Sequence, residues 1–100
     1  MANANYLKGV VLEREIVNIF KSVGCQAART AGSHGHYDLY AVGTIGKIDL
    51  AKTRLEIEGF RPSREGYTRK GRTYVDVLHV MVIGDGSDEA LFIQCKRKGV

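Results

Sequence analysis

Three places in the 100-residue sequence could meet to do chemistry on a phosphate ester. Glu13 lies in an N-terminal amphipathic stretch, Asp38 heads the apolar run "DLYAV", and "IQCK" near the end offers an amide oxygen at Gln94 and a cation at Lys96. Two acids, a polar oxygen and a lysine at the ends of separate elements suit one task well. Hard divalent cations take oxygen ligands, and Mg²⁺ commonly uses one or two protein carboxylates while keeping waters and adding phosphate oxygens. A lysine beside such a cation can orient the attacking water, and the cation offsets charge that builds on the phosphoryl oxygens. Hydrolysis of a phosphodiester needs those parts.

The elements that must carry these residues can be read from periodicity. From Lys8 to Val23 the apolar residues Leu12, Ile16, Ile19, Phe20 and Val23 recur at three- and four-residue steps, the stripe of an amphipathic helix, and Gly24 supplies a stop. Glu13 falls at the edge of that stripe, where a half-buried carboxylate needs a partner or a cation to offset its desolvation. Next, "CQAARTAGSHGHYDLYAVG" reads as a short strand, a glycine-punctuated turn and a second strand over Tyr37–Val42. At the other end "TYVDVLHVMVI", "GDGSDE" and "ALFIQCK" read as a hairpin of two aliphatic strands. The expected fold is therefore α/β, a helix followed by a sheet, in a single domain spanning residues 1–100.

Charge points to a polyanionic partner. The formal net charge is +4 with a pI near 9.2, and residues 44–73 hold eight Lys/Arg against four acids, an excess equal to that of the whole chain. With the only proline at Pro62, "RPSREGYTRKGR" reads as an exposed basic loop or hairpin tip, and 44–73 as a basic inserted segment. Two cysteines, Cys25 and Cys95, have no metal-ligand spacing and too low a density for a disulfide scaffold, so both are expected reduced. The His34/His36 pair lacks the further ligands of a zinc site. No basic-then-apolar leader opens the chain, and no apolar run approaches the roughly 18 residues that span a bilayer. The expectation is an intracellular, cytoplasmic protein without membrane contact.

Three segments together give the chain a resemblance to the archaeal and phage Holliday-junction resolvases of the restriction-endonuclease-like superfamily. "YLKGVVLEREIVNIFKSVG" is similar to the family's basic residue and glycine leading into a helix with a Glu-Arg pair. "ARTAGSHGHYDLYAV" is similar to its arginine, Ala-Gly-Ser and Asp-Leu strand, and "LFIQCK" to its acid-x-Lys strand. The likeness covers a little under half of the chain, and "AGSHG" followed by "YDLYAV" is its most specific piece.

The resemblance implies a restriction-endonuclease-like core, with the N-terminal helix followed by a central mixed β-sheet and a basic insertion. It further implies Glu13, Asp38 and Gln94 as metal ligands with the Cys95 carbonyl, and Lys96 as the catalytic lysine, with Arg29 and Ser33 near the reacting centre. The cofactor would be Mg²⁺, with Mn²⁺ as a substitute. Lys8, Arg14, Arg29, Ser33, His34, Arg69, Lys70, Arg72, Arg97 and Lys98 would face DNA. The substrate would be branched double-stranded DNA, a four-way junction, cut by a homodimer with two symmetric sites.

Three departures stand out. Gln94 replaces a carboxylate; the chain stops four residues after Lys96; and Asp38 and Gln94 are 56 residues apart, which leaves Asp76, 18 residues before Gln94, as a rival ligand. Asp38 is preferred because its glycine-serine approach leaves backbone room beside a phosphate. The alternatives are a duplex-cutting restriction or repair nuclease of the same superfamily, and a non-catalytic DNA-binding module marked by Gln94.

Overall fold

The computed structural model describes residues 4–30, 37–64 and 66–97. Helix α1 covers Ala4–Ser22 and is followed by strands β1 (Gln26–Arg29) and β2 (Leu39–Thr44). Helix α2 (Ile45–Ile57) comes next, then β3 (Arg61–Pro62), β4 (Gly66–Arg69), β5 (Thr73–Ile83) and β6 (Asp88–Arg97). The strands form one six-stranded sheet in the order β1-β2-β6-β5-β4-β3.

The helices cover one face of this sheet. The stripe on α1 buries Leu12, Ile16 and Phe20, and α2 adds Ile48, Ala51 and Leu55. Facing them are Ala27, Leu39, Ala41, Val75, Leu91, Ile93 and Cys95, all buried. Strand side chains alternate between faces, so Tyr40, Phe92, Asp76, Gln94 and Lys96 belong to the face away from that core. This second face carries aromatic packing of its own, with the Tyr37 and Phe92 rings edge-to-face at 4.8 Å.

The α/β class and the helix-before-sheet order are as expected, whereas the direction of the strands is corrected. Every neighbouring strand pair is antiparallel, so the sheet is not mixed in direction. The helical crossover from β2 leads to β3 at the far edge of the sheet, and hairpins then build inward until β6 closes against β2.

Part of the basic segment 44–73 belongs to the core. Thr44 caps α2 by accepting the Lys47 amide at 3.2 Å, and Ile48, Ala51, Leu55 and Phe60 are fully or almost fully buried. Only the later part matches the hairpin expectation: β3 pairs with β4, and Lys70–Gly71 turn with positive φ into β5.

Candidate active site

The site is organised by the point where β2 ends against β6. Asp38 immediately precedes β2, and its backbone is fixed from both sides: its N–H donates to the Ile93 carbonyl at 2.8 Å, and its carbonyl accepts the Thr30 amide at 2.9 Å. Its carboxylate Oδ2 then accepts the Cys95 backbone N–H at 2.9 Å. In an antiparallel strand the N–H and C=O of one residue point to the same side, so the Cys95 carbonyl also faces the β2 side, where Asp38 lies. Leu39 pairs with Ile93, which brings Asp38 level with the Gln94–Cys95 stretch although Asp38 and Gln94 are 56 positions apart.

Gln94 pairs with Asp76 on β5, and Tyr74 with Lys96. Gln94, Asp76 and Lys96 thus share the face away from the helices, and the Lys96 ammonium lies 3.7 Å from Asp76 Oδ2. The rival ligand Asp76 is brought beside Gln94 together with Asp38, rather than in its place. On its other side Asp76 is opposite Gly66, where a Cβ would collide with the Val75 carbonyl; glycine there lets β4 close against β5.

Glu13 reaches the same neighbourhood from α1. Its side chain is only 16% exposed, and Oε1 accepts the Arg29 Nε–H at 2.9 Å. The partner required for a half-buried carboxylate is therefore a residue also singled out from the sequence. Burial, and then the negative charge of Asp38, Glu13, Asp76 and Glu15 in that order, push the Cys95 thiol well above its ordinary range. Cys95 is thereby a neutral, buried thiol among four carboxylates, and it offers the site its backbone and not its sulfur. Both cysteines are free thiols, as expected.

Oxygen donors of this kind fit a hard cation. Asp38, the Gln94 amide and the Cys95 carbonyl could hold one, with Glu13 behind them through Arg29. Among the described residues no three His, Cys, Asp or Glu side chains form a group that could hold a metal ion, and the residue opposite Asp76 on β6 is an amide, Gln94.

The residues expected to face DNA divide by location. Lys70 and Arg72 are exposed on the β4–β5 turn, while Arg61 is exposed on β3 and Arg64 in the turn between β3 and β4. Arg14 is exposed on α1 and lines a groove with Glu15, Asn18, Arg54 and Glu58, away from the β2–β6 junction. Arg69 is committed to the fold: its guanidinium forms a fork with Glu15 at 2.8 and 2.9 Å and stacks over the Phe60 ring at 4.2 Å. A guanidinium held in a two-pronged, mostly shielded ion pair has little of its charge left for a phosphate. The backbones of Lys8 and Arg97 belong to α1 and β6, but their side chains, with Ser33, His34 and Lys98, lie outside the described residues.

Glu15 was missed as a partner of this kind. Its sequence signal was a second acid two residues after Glu13, and its partner lies 54 residues away. No helix among the described residues is long and apolar enough to cross a membrane.

Comparison with known proteins agrees with the resemblance at the N-terminal half. No curated protein and no solved structure matches the chain significantly. Residues 4–48, a stretch that includes Glu13, Arg29 and Asp38, are similar to the family model described as archaeal Holliday junction resolvase (Hjc).

Proposed function

We propose that the protein is a metal-dependent endodeoxyribonuclease that resolves four-way DNA junctions by paired phosphodiester hydrolysis. The observation that carries this reading is the 2.9 Å bond from the Cys95 amide to Asp38 Oδ2. It joins the matched N-terminal segment to the "IQCK" strand, which lies outside the match.

In this reading Asp38, Gln94 and the Cys95 carbonyl hold a Mg²⁺ or Mn²⁺ ion. When bound, such a cation supplies positive charge to the phosphoryl oxygens. Lys96, on the adjacent exposed face, orients the attacking water, and the Asp76 carboxylate 3.7 Å away helps to hold its ammonium in place. Glu13 and Arg29 form a supporting pair that sets the wall of the site beneath Asp38. Binding rests on basic side chains meeting phosphates, which makes it sensitive to salt and dependent on the shape of the DNA more than on its sequence. Resolution needs two cuts related by a twofold axis, which a homodimer provides, and a protein acting on cellular or viral DNA works inside the cell.

The test is incubation of a labelled immobile four-way junction and a matched linear duplex with Mg²⁺, Mn²⁺ or EDTA, using the wild type and Asp38→Asn. Symmetric, metal-dependent nicks in the junction, lost in Asp38→Asn while junction binding survives, are the expected result. Equal cutting of the duplex would assign the protein to the restriction or repair class. Junction binding without cleavage in either metal would make it a binding module and trace the loss to Gln94.

A further inference from the structure

The face of the sheet that bears Gln94, Asp76 and Lys96 also carries aromatic rings for which the hydrolytic chemistry has no use. Tyr40 on β2 pairs with Phe92 on β6, in the row next to the level where Asp38 meets Gln94. Two residues along a strand return to the same face and span about 7 Å, at roughly 3.4 Å each. Tyr40 therefore stands two residues from Asp38, as Phe92 does from Gln94, on one side of the oxygen donors.

The rings divide into a support and a platform. Phe92 is braced by Tyr37, edge-to-face with the planes 63° apart. Tyr37 is itself anchored beside Asp38, where its carbonyl accepts the Thr30 hydroxyl at 3.0 Å. Tyr40 is 36% exposed, and among the described residues it makes no hydrogen bond or ring pair. Its neighbour on β1 is Ala28, whose methyl group is too small to cover the ring. A tyrosine so placed offers a wide contact surface and loses only two side-chain torsions when a ligand covers it.

An open ring beside a phosphodiester site suits one ligand chemistry. Every nucleobase has a π face, and stacking of that face on an aromatic side chain tolerates any sequence. Continuous duplex hides these faces, because each base pair is covered by the next. Where helical arms meet, the stack is interrupted and the terminal pairs have faces that can be uncovered. We propose that Tyr40, supported by Phe92, stacks on a nucleobase uncovered at the branch point and so supplies the preference for branched over continuous DNA. This deepens the junction-cutting reading and rests on it. A DNA strand advances about 3.4 Å per nucleotide, so the stacked base belongs within about two nucleotides of the scissile phosphate. Stacking involves no counterion, which separates it from the phosphate contacts that position the protein.

The sequence contains no tryptophan, so Tyr40→Trp places a single indole on the platform. Its emission is read while a labelled immobile four-way junction or the matched linear duplex is titrated in EDTA, where cleavage does not intervene. The junction is expected to quench the indole and the duplex to leave it nearly unchanged. Tyr40→Leu, which keeps an apolar side chain without a ring, should bind the junction about tenfold more weakly. Its duplex affinity, its salt slope and its circular dichroism should match the wild type. Tyr40→Phe and Tyr40→Trp retain junction binding, because the ring and not the hydroxyl makes the contact. The proposal is overturned if Tyr40→Leu keeps the full preference or weakens junction and duplex alike. It is equally overturned if Tyr40→Phe loses as much as Tyr40→Leu, if the duplex quenches the indole as the junction does, or if the wild type prefers neither DNA. Failure of the nuclease reading has a separate signature: a junction bound with preference through Tyr40 in EDTA, yet uncut in Mg²⁺ or Mn²⁺.

Discussion

Gln94 is the residue on which the chemistry turns. It stands between Asp38 and Asp76 on adjacent strands, so a carboxylate there would complete a row of three acids. A neutral amide contributes a donor oxygen but no net charge, and at short range in a partly buried site one unit charge is worth several kcal/mol, of which desolvation takes back a large part. Gln94→Glu is therefore expected to lower the Mn²⁺ concentration giving half-maximal cleavage by roughly tenfold, with a parallel gain in Mn²⁺ affinity by calorimetry. Asp76→Asn should act differently, because its carboxylate lies 3.7 Å from the Lys96 ammonium. The variant is expected to slow cleavage by about tenfold or less while changing Mn²⁺ affinity little, whereas Asp38→Asn loses both. Equal loss of Mn²⁺ affinity in the two variants would make Asp76 a metal ligand alongside Asp38.

At the scale of elements, the sequence was informative wherever one face of an element is buried and the other is not. α1 was legible because Leu12, Ile16 and Phe20 keep helical spacing against polar neighbours, and β5 because its β-branched run extends from Thr73 to Ile83. α2 was not legible. Its buried residues Ile48, Ala51 and Leu55 have the right spacing, but Ile45, Leu50 and Ile57 are exposed and blur the stripe. Its lysines and arginines drew attention to charge instead, although the cap at Thr44 was a usable local signal. The site was legible in its residue types, since Glu13, Asp38, Gln94 and Lys96 depended on recognisable segments. Its pairing was less so, because Glu13–Arg29 and Asp76–Lys96 are set by register between strands and helix. Arg69 illustrates the limit: its basic surroundings suggested phosphate, while the fold supplies Glu15, the Glu58 carbonyl at 3.4 Å and the Phe60 ring. Arg69→Ala is accordingly expected to destabilise the protein by about 1–3 kcal/mol in urea unfolding, with the salt slope of DNA binding unchanged. A slope reduced by a full unit with stability intact would return Arg69 to the DNA surface.

The whole molecule separates its tasks by surface. The two helices close one face of the sheet around the core, and the opposite face carries Gln94, Asp76 and Lys96. The basic hairpin ends stand at one edge of the same sheet, where Arg61, Arg64, Lys70 and Arg72 are exposed. Each cation that meets a DNA phosphate releases about 0.9 of a counterion, so the slope of log K against log salt counts the contacts. Lys70 and Arg72 are on a turn with no ion pair among the described residues, which leaves them available for this role. Lys70→Ala and Arg72→Ala are each expected to reduce the slope by about one and to weaken junction and duplex binding to a similar degree. Preference for the junction should survive both substitutions, because phosphate contacts position the protein and carry little discrimination by themselves. If either variant lost the preference and kept its slope, that residue would be reading the branch point, and shape recognition would belong to the β4–β5 turn.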